Sequence, residues 1–176
     1  MARATVWLSG REVADRIEAG VAAAVEEVTE GWVRLRPHKL VEAARFLRDD
    51  RAVDGRYLNC LSGVDRYDYF EVAYHVSSLS HNHQLALKVR VPREDPVVPS
   101  VVSVWYGANL QEREAFDLLG IRFEGHPSLT RLFLWDGFPG HPLRKDFRSL
   151  PGGFNPGLQR FPKEHPDQWG GEFRAD

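Results

Sequence analysis

The sequence predicts an α+β fold: a two-layer domain with helices packed on a mostly antiparallel sheet, followed by an extended C-terminal arm. Three observations support this prediction. Several segments carry apolar residues at helical spacing, and two neighbouring segments joined by a short polar link alternate apolar and polar residues. After residue 142 the apolar periodicity stops, and proline and glycine become frequent. We therefore assign residues 1–142 to the domain and residues 143–176 to the arm.

The first elements of the domain follow from local signals. Ser9, with Glu12 three residues later, is a capping-box pattern that opens a first helix. The apolar side of this helix is expected to continue through Val13, Ile17, Val21, Ala24 and Val28. Residues 31–37 alternate as a short strand. A second helix follows Pro37, with an apolar side formed by Leu40, Ala44 and Leu47.

Three strands are predicted in the middle of the chain. Residues 56–65 are expected to form a buried strand, in which Cys60 is a buried structural thiol. The two alternating strands present on one face Phe70, Val72, Tyr74, Val76, Leu85, Leu87, Val89 and Val91. Their link, residues 77–83, is typical of a hairpin loop. Regular structure is not expected in residues 91–100, which contain Pro92, Pro96 and Pro99.

A third helix is predicted over residues 109–119. Asn109 and Glu112 form a second pattern of the capping-box kind, and Gly120 is a residue type that commonly follows a helix. Residues 132–135, with the sequence LFLW, are expected to form a further strand.

Charged residues are concentrated on this third helix. On a helical wheel Arg113, Glu114 and Asp117 share one side. The apolar side is formed by Ala115, Phe116, Leu118 and Leu119. Glu112 points among the apolar residues, but it can fold back to the amide of Asn109, in the positive end of the helix dipole. Arg113 and Asp117 are expected to pair, so local structure accounts for these charges, with an acid–base role as the alternative.

Two histidines, His126 and His141, each lie in a Gly-His-Pro tripeptide. Zinc sites draw three or four ligands from short spacings, whereas these two are far apart and the chain has no HxxxH, HExxH or CxxC pattern. Glycine and proline are turn residues, so a ring nitrogen that caps backbone groups is the expected use. A stand-alone metal-dependent hydrolase that uses both histidines is the alternative. The HNH triplet at 81–83 lies in the predicted hairpin loop, without metal-binding elements around it.

Composition and motifs argue against several function classes. The 176 residues include 25 acidic and 23 basic side chains, so no overall field attracts nucleic acid or an anionic membrane. The patterns GxSxG, GxxxxGK[ST] and GxGxxG are absent. No segment has the roughly 20 apolar residues that cross a bilayer, so membrane contact is expected only through a partner. By elimination, the charged and aromatic residues suit protein–protein contact.

The arm keeps several aromatic residues, namely Phe147, Phe154, Phe161, Trp169 and Phe173. Disordered segments are usually poor in aromatic residues, so these side chains are expected to be anchors. Two interpretations remain open. The arm docks on another protein, which we favour, or it folds back on its own domain.

The sequence EREAFDLLGIRFEGHPSLTRLFL (112–134), followed by GHPLRKDF (140–147), resembles the 30 kDa subunit of respiratory complex I, the NADH-quinone oxidoreductase. The resemblance extends over about residues 57–148. It implies a non-catalytic structural or assembly subunit of the peripheral arm of a proton-pumping complex that transfers electrons from NADH to quinone. A related membrane-bound hydrogenase, or another complex I-like oxidoreductase, is the alternative.

The resemblance also implies a location and a set of partners. The chain is expected on the cytoplasmic side of the cell membrane, against the 49 kDa-type quinone-site subunit and adjacent iron–sulfur subunits. No cofactor is expected in this chain, and iron–sulfur clusters, FMN and quinone are expected in the partner subunits, because a cluster needs about four cysteine ligands. The motif residues expected to serve partner docking are Glu112, Arg113, Glu114, Asp117, His126, His141, Arg144, Lys145 and Asp146.

Overall fold

The computed structural model describes residues 4–138 and 140–147. Three helices and eight strands alternate along this part of the chain. In chain order they are β1 (Val6–Trp7), α1 (Gly10–Gly20), β2 (Val25–Val28), β3 (Val33–Leu35), a 3-10 turn (Pro37–Lys39), α2 (Leu40–Asp49), β4 (Tyr57–Asp65), β5 (Tyr69–Ser78), β6 (His83–Pro92), β7 (Val97–Pro99), α3 (Ala108–Leu119) and β8 (Arg122–Glu124).

The main sheet has the strand order β2-β3-β6-β5-β4, and β1 also pairs with β6. The long strands β4, β5 and β6 are antiparallel neighbours, whereas β3 and β1 run parallel to β6. Strands β7 and β8 form a separate parallel pair. The predicted α+β fold with a mostly antiparallel sheet is therefore confirmed. Within the described residues, no helix is both long and apolar enough to span a bilayer.

The core lies between the helices and one face of the sheet. The alternating residues predicted for β5 and β6 all point into it, and Phe70, Val72, Tyr74, Val76 and Leu87 have no exposed surface. Helix α3 packs on β4 where Gly63 leaves room for it. A Cβ atom at Gly63 would lie 2.6 Å from a methyl group of Leu119, so glycine is needed for this close approach.

Helix α1 is shorter than predicted. The Ser9–Glu12 capping box is present, but the helix ends at Gly20, and residues 25–28 form strand β2. The carboxylate of Glu18 accepts hydrogen bonds from the N–H groups of Ala23 and Val25, which turns the chain away from the helix axis. Apolar residues beyond the helix are buried through this turn, so their spacing matches a helix by coincidence.

Two strand predictions are wrong in opposite directions. Strand β7 forms although prolines lie at its ends, because its bonds to β8 use the carbonyl oxygen of Pro96 and the N–H of Ser100. Residues 132–135 form no strand, because the N–H groups of residues 132–134 donate to the side chain of Asp117. Both outcomes depend on where backbone hydrogen bonds are directed.

The predicted hairpin between β5 and β6 is confirmed, with the turn confined to residues 79–82. His81 and His83 donate from their Nε2 atoms to the carbonyl oxygens of Arg51 and Val53, at 2.9 and 2.8 Å. The histidines of the HNH triplet therefore fasten the hairpin to the segment after α2. Cys60 is only partly buried on β4, which corrects the prediction of a buried thiol.

Candidate functional site

The predicted motif residues converge on α3, on the loop 130–138 and on the start of the arm, residues 140–147. We call these three parts together the α3 platform. Gly120 ends α3 in the left-handed conformation, at φ 73°, in agreement with its predicted position. A Cβ atom there would lie 2.5 Å from the guanidinium of Arg144 and 2.6 Å from the ring of His141. Glycine is therefore required both by the backbone conformation and by the two motif side chains.

Glu112 does not cap α3. The helix begins at Ala108 after Gly107, without a side-chain cap, so the predicted capping box with Asn109 is wrong. The Glu112 side chain has no exposed surface, and its carboxylate accepts hydrogen bonds from the hydroxyl of Ser100 at 2.6 Å and the N–H of Val101 at 2.7 Å. Glu112 thus connects α3 to the segment that follows β7.

Burial raises the pKa of Glu112 to about 7, although the two hydrogen bonds act in the opposite direction. The hydroxyl of Tyr74 on β5 is also buried, and no partner for it is found in the described part of the chain. Burial, with the nearby Glu112 charge, raises the pKa of Tyr74 well above its usual value. Glu112 is therefore a buried carboxylate with a perturbed pKa, and it lies in the core rather than in an accessible cleft.

Asp117 is fully buried and holds the loop of the α3 platform. One carboxylate oxygen accepts hydrogen bonds from the N–H groups of Leu132, Phe133 and Leu134, at 2.9, 2.8 and 2.9 Å. The other accepts from the guanidinium of Arg131 at 3.0 Å. Burial raises the pKa of Asp117, but these four donors outweigh it and hold the pKa below its usual value.

Arg113 does not pair with Asp117, which corrects the predicted i,i+4 ion pair. Its guanidinium donates instead to the carbonyl oxygens of Thr130 and Arg131, at 3.0 and 2.9 Å. Arg131 in turn donates to the carbonyl oxygen of Phe138 at 3.3 Å. Donors and acceptors on α3 thus fix both sides of the loop backbone.

The two Gly-His-Pro histidines bind backbone groups, as predicted. The Nε2 atom of His126 donates to the carbonyl oxygen of Asn109 at 3.1 Å, and its Nδ1 atom accepts from the N–H of Ser128 at 3.0 Å. The Nδ1 atom of His141 donates to the carbonyl oxygen of Asp117 at 2.8 Å, and burial lowers the pKa of this ring. Among the described residues, no group of three or more His, Cys, Asp or Glu side chains could hold a metal ion.

The first residues of the arm contact the domain. Arg144 donates to the carbonyl oxygen of Leu119 at 2.6 Å, and the backbone N–H of Lys145 donates to the carboxylate of Asp65 at 2.9 Å. Asp146 forms an ion pair with Arg93 at 2.6 Å. The arm therefore starts by folding back on its own domain. Residues 148–176, on which most of the docking prediction rests, lie outside the described residues.

Apolar side chains around the α3 platform face solvent. Phe133 is 63% exposed on the loop, Leu143 is 59% exposed at the start of the arm, and Leu110 is 57% exposed on α3. A cavity of about 100 Å³ lies between α3 and β4, with Glu114 and Leu143 in its lining. Exposed apolar groups beside buried polar anchors are typical of a surface that binds another protein.

Local sequence signals do not identify several residues of the site. Ser100 and Arg131, which bind Glu112 and Asp117, lie in segments for which the sequence predicts an irregular connector and the approach to a strand. Nothing in the sequence marks these two polar partners. Phe133 falls in the LFLW run, whose apolar character favours a strand. Its position directly after a charged helix and a turn is the signal that could have indicated an exposed loop.

Comparison with known proteins gives a consistent group of matches. The family described as "Respiratory-chain NADH dehydrogenase, 30 Kd subunit" matches residues 33–151. The C subunit of NADH-quinone oxidoreductase from Roseiflexus castenholzii is 48% identical over 117 residues, covering 65% of this chain and 67% of the relative. A second copy of the C subunit from Rhizobium meliloti is 44% identical over 137 residues, covering 74% and 75%. The C subunit from Coxiella burnetii is 38% identical over 167 residues, covering 76% and 74%.

Two solved structures are similar to the chain. The trypsin-resistant fragment of Nqo5 aligns with a TM-score of 0.53 and 32% identity, over 68% of this chain and 98% of that one. A chain of the membrane-bound sulfane sulfur reductase, an archaeal respiratory membrane complex, aligns with a TM-score of 0.64 and 22% identity, over 80% and 86%. The second likeness concerns the fold alone, because its sequence identity is low.

Proposed function

Because the chain belongs to the family of the 30 Kd subunit of respiratory-chain NADH dehydrogenase, we propose that it is a structural, non-catalytic subunit of a proton-pumping NADH:quinone oxidoreductase. As a member of such a complex it contacts other subunits and associates peripherally with the membrane. Its role is to hold neighbouring subunits in the arrangement that electron transfer from NADH to quinone requires.

The observation that carries a docking role is the construction of the α3 platform. Buried Asp117 fixes three consecutive backbone N–H groups, and Phe133 lies among them with most of its side chain in solvent. A pre-organised apolar side chain binds a partner at a lower entropic cost than one on a loose loop. The motif residues of α3 therefore serve docking by holding the loop, and the neighbouring apolar residues make the contact.

The finer assignment of partners follows from this role. We assign the α3 platform to the 49 kDa-type quinone-site subunit and to adjacent iron–sulfur subunits, on the cytoplasmic side of the cell membrane. The iron–sulfur clusters, FMN and quinone belong to those partners. Cys60 is the sole cysteine of the sequence, and a cluster takes about four thiolate ligands. The roles of Glu112, Arg113, Glu114, Asp117, His126, His141, Arg144, Lys145 and Asp146 in docking are part of the same proposal.

Purification from native membranes tests the proposed function. An affinity tag on this chain is expected to recover a multisubunit iron–sulfur complex that oxidises NADH and reduces quinone. Recovery of the chain alone would contradict the proposal. Recovery of a complex that consumes or evolves hydrogen, without NADH oxidation, would favour the equivalent subunit of a hydrogenase-type relative instead.

A further inference from the structure

The side of the main sheet that faces away from the helices carries a second group of functional side chains. Strand register aligns Arg34 on β3, Lys88 on β6, Ala73 on β5 and Ser62 on β4 in one row across four strands. We call this side the open face. Ser62 is exposed, and Ala73 and Lys88 are partly exposed. The small residues of the row leave the centre of the open face shallow.

A buried carboxylate organises the cations of the open face. Glu71 is 2% exposed, and its carboxylate lies 3.0 Å from the ammonium of Lys88 and 3.2 and 3.7 Å from the guanidinium groups of Arg66 and Arg34. Burial raises the pKa of Glu71, but these cations outweigh it and keep the pKa below its usual value. Glu71 therefore stays ionised at neutral pH and holds three cationic groups in place.

The cluster has an excess of positive charge. Arg34 also pairs with Glu27 on β2, and Arg90 stands directly opposite Glu71 in the β5–β6 pairing. The cluster thus contains four cations (Arg34, Arg66, Lys88 and Arg90) and two carboxylates (Glu27 and Glu71), a net charge of 4 − 2 = +2. The whole chain has a net charge of −2. The open face is therefore positive on a chain that is negative overall.

Aromatic side chains flank the cations. The ammonium of Lys88 lies 4.3 Å from the ring centre of Trp32, and the guanidinium of Arg90 lies 3.8 Å from that of Tyr69. Trp7 is 53% exposed and packs edge-on against His75, with 6.0 Å between ring centres. Tryptophan, tyrosine and arginine are the residue types enriched in the energetic centres of protein interfaces.

We propose that the open face is a second docking surface, and that its occupant is an acidic polypeptide segment of a neighbouring subunit. This inference rests on the proposed function, since it needs the chain to be held in a complex. Asp and Glu side chains of the segment pair with Arg66, Lys88 and Arg90. The buried Nε atom of Arg34 has no hydrogen-bond partner in the described residues and is a further donor near this site.

The pre-organised cluster accounts for the choice of an acidic partner. A carboxylate that enters beside Lys88 meets cations already fixed by Glu71, so little side-chain entropy is lost when the new hydrogen bonds form. A basic segment would meet the net positive charge of the cluster and would be repelled. Complementary charge at such a surface sets the rate and the specificity of association.

Zero-length cross-linking of the purified membrane complex tests this inference. A carbodiimide joins an amine directly to a carboxylate, so the expected product links Lys88 to an Asp or Glu residue of another subunit, identified by mass spectrometry. A link only to Glu71, a link to an acidic residue of the arm, or no link at Lys88 would overturn the inference and leave the proposed function intact. A chain that purifies without other subunits would overturn both.

Charge reversal gives a second measurement. We expect the Arg90→Glu variant to be released from the purified complex at a salt concentration at least about twofold lower than wild type, because the substitution changes the net charge of the cluster from +2 to 0. Arg16→Glu is the matched control, since Arg16 is exposed on α1, on the opposite side of the sheet. The milder Arg90→Gln variant and the melting temperature of each isolated chain separate lost docking from lost folding. Equal release of the Arg90 and Arg16 variants would contradict an acidic partner.

Discussion

The Asp117→Asn substitution tests whether a buried carboxylate holds the loop of the α3 platform. Asparagine keeps the size of the side chain and one oxygen, but it removes the charge that faces Arg131 and the three loop N–H groups. Removing one member of a buried ion pair costs about 3–5 kcal/mol. The Arg131 side chain retains 24% exposure and can be rehydrated, so we expect the low end of this range, about 3 kcal/mol. For a domain of this size that loss lowers the melting temperature by roughly 6–12 °C.

Urea unfolding and amide hydrogen exchange of the isolated chain measure this effect. Exchange is expected to accelerate most at residues 132–134, because the loop opens locally before the core does. The sign of the pH dependence follows from the lowered pKa of Asp117. Its contribution is present above the unfolded pKa of about 3.9 and is lost as the pH falls through the folded value, so the two proteins converge in acid.

The Asp15→Asn variant, which changes an exposed carboxylate on α1, is the control and is expected to unfold like wild type. A loss below about 1 kcal/mol for Asp117→Asn would refute the reasoning, because ordinary surface substitutions have effects of that size or less. Unchanged exchange at residues 132–134 would refute it independently of the global stability.

Three further predictions concern Glu112, Gly120 and Gly10. The raised pKa of Glu112, about 7 against 4.5, means that the folded state binds a proton more tightly than the unfolded state. Wild type should therefore lose about 3 kcal/mol, relative to Glu112→Gln, as the pH rises from about 4.5 to 7. Equal pH slopes in urea titrations of the two proteins would contradict this. Gly120→Ala should lower the free energy of unfolding by about 1–3 kcal/mol, because alanine is strained at a φ of 73° and meets Arg144 and His141; Gly125→Ala, at a φ of 82° with open space around it, separates the two causes. Gly10→Ala should reduce the yield of folded protein in thermal melts, because its Cβ would lie 2.1 Å from the carbonyl oxygen of Thr29, whereas Gly31→Ala meets no atom and is the control.

Local signals are sufficient for much of the fold. The Ser9 capping box, the alternation of β5 and β6 and the Gly120 terminus depend on neighbouring residues, and the structure contains all three. The predicted helix α1 is too long because a turn can bury apolar residues at positions that also fit a helical spacing. The sequence shows the spacing, but the contact of Glu18 with residues beyond the helix is visible only in the fold.

The candidate site is predictable in its residues but not in its pairings. Glu112 has the same spacing from Asn109 as a true capping residue, and only the position of Ser100 in space directs it into the core. Asp117 and Arg113 are correctly spaced to pair with each other, yet the loop after β8 offers each a larger set of partners. Local rules assign charges to their nearest partners in sequence, so they fail where a distant loop is brought to the same helix.

The central claim, that the α3 platform presents Phe133 to a partner subunit, is tested most directly by a matched pair of variants. Phe133 and Leu79 are both largely exposed apolar residues, at 63% and 80%, and Leu79 lies in the β5–β6 turn away from the platform. We expect Phe133→Gln to reduce the amount of assembled complex on native gels about tenfold, with the melting temperature of the isolated chain unchanged, because buried aromatic anchors contribute about 1–2 kcal/mol or more to binding. Leu79→Gln is expected to assemble like wild type. Normal assembly of the Phe133 variant, or an equal loss in both variants, would contradict the account.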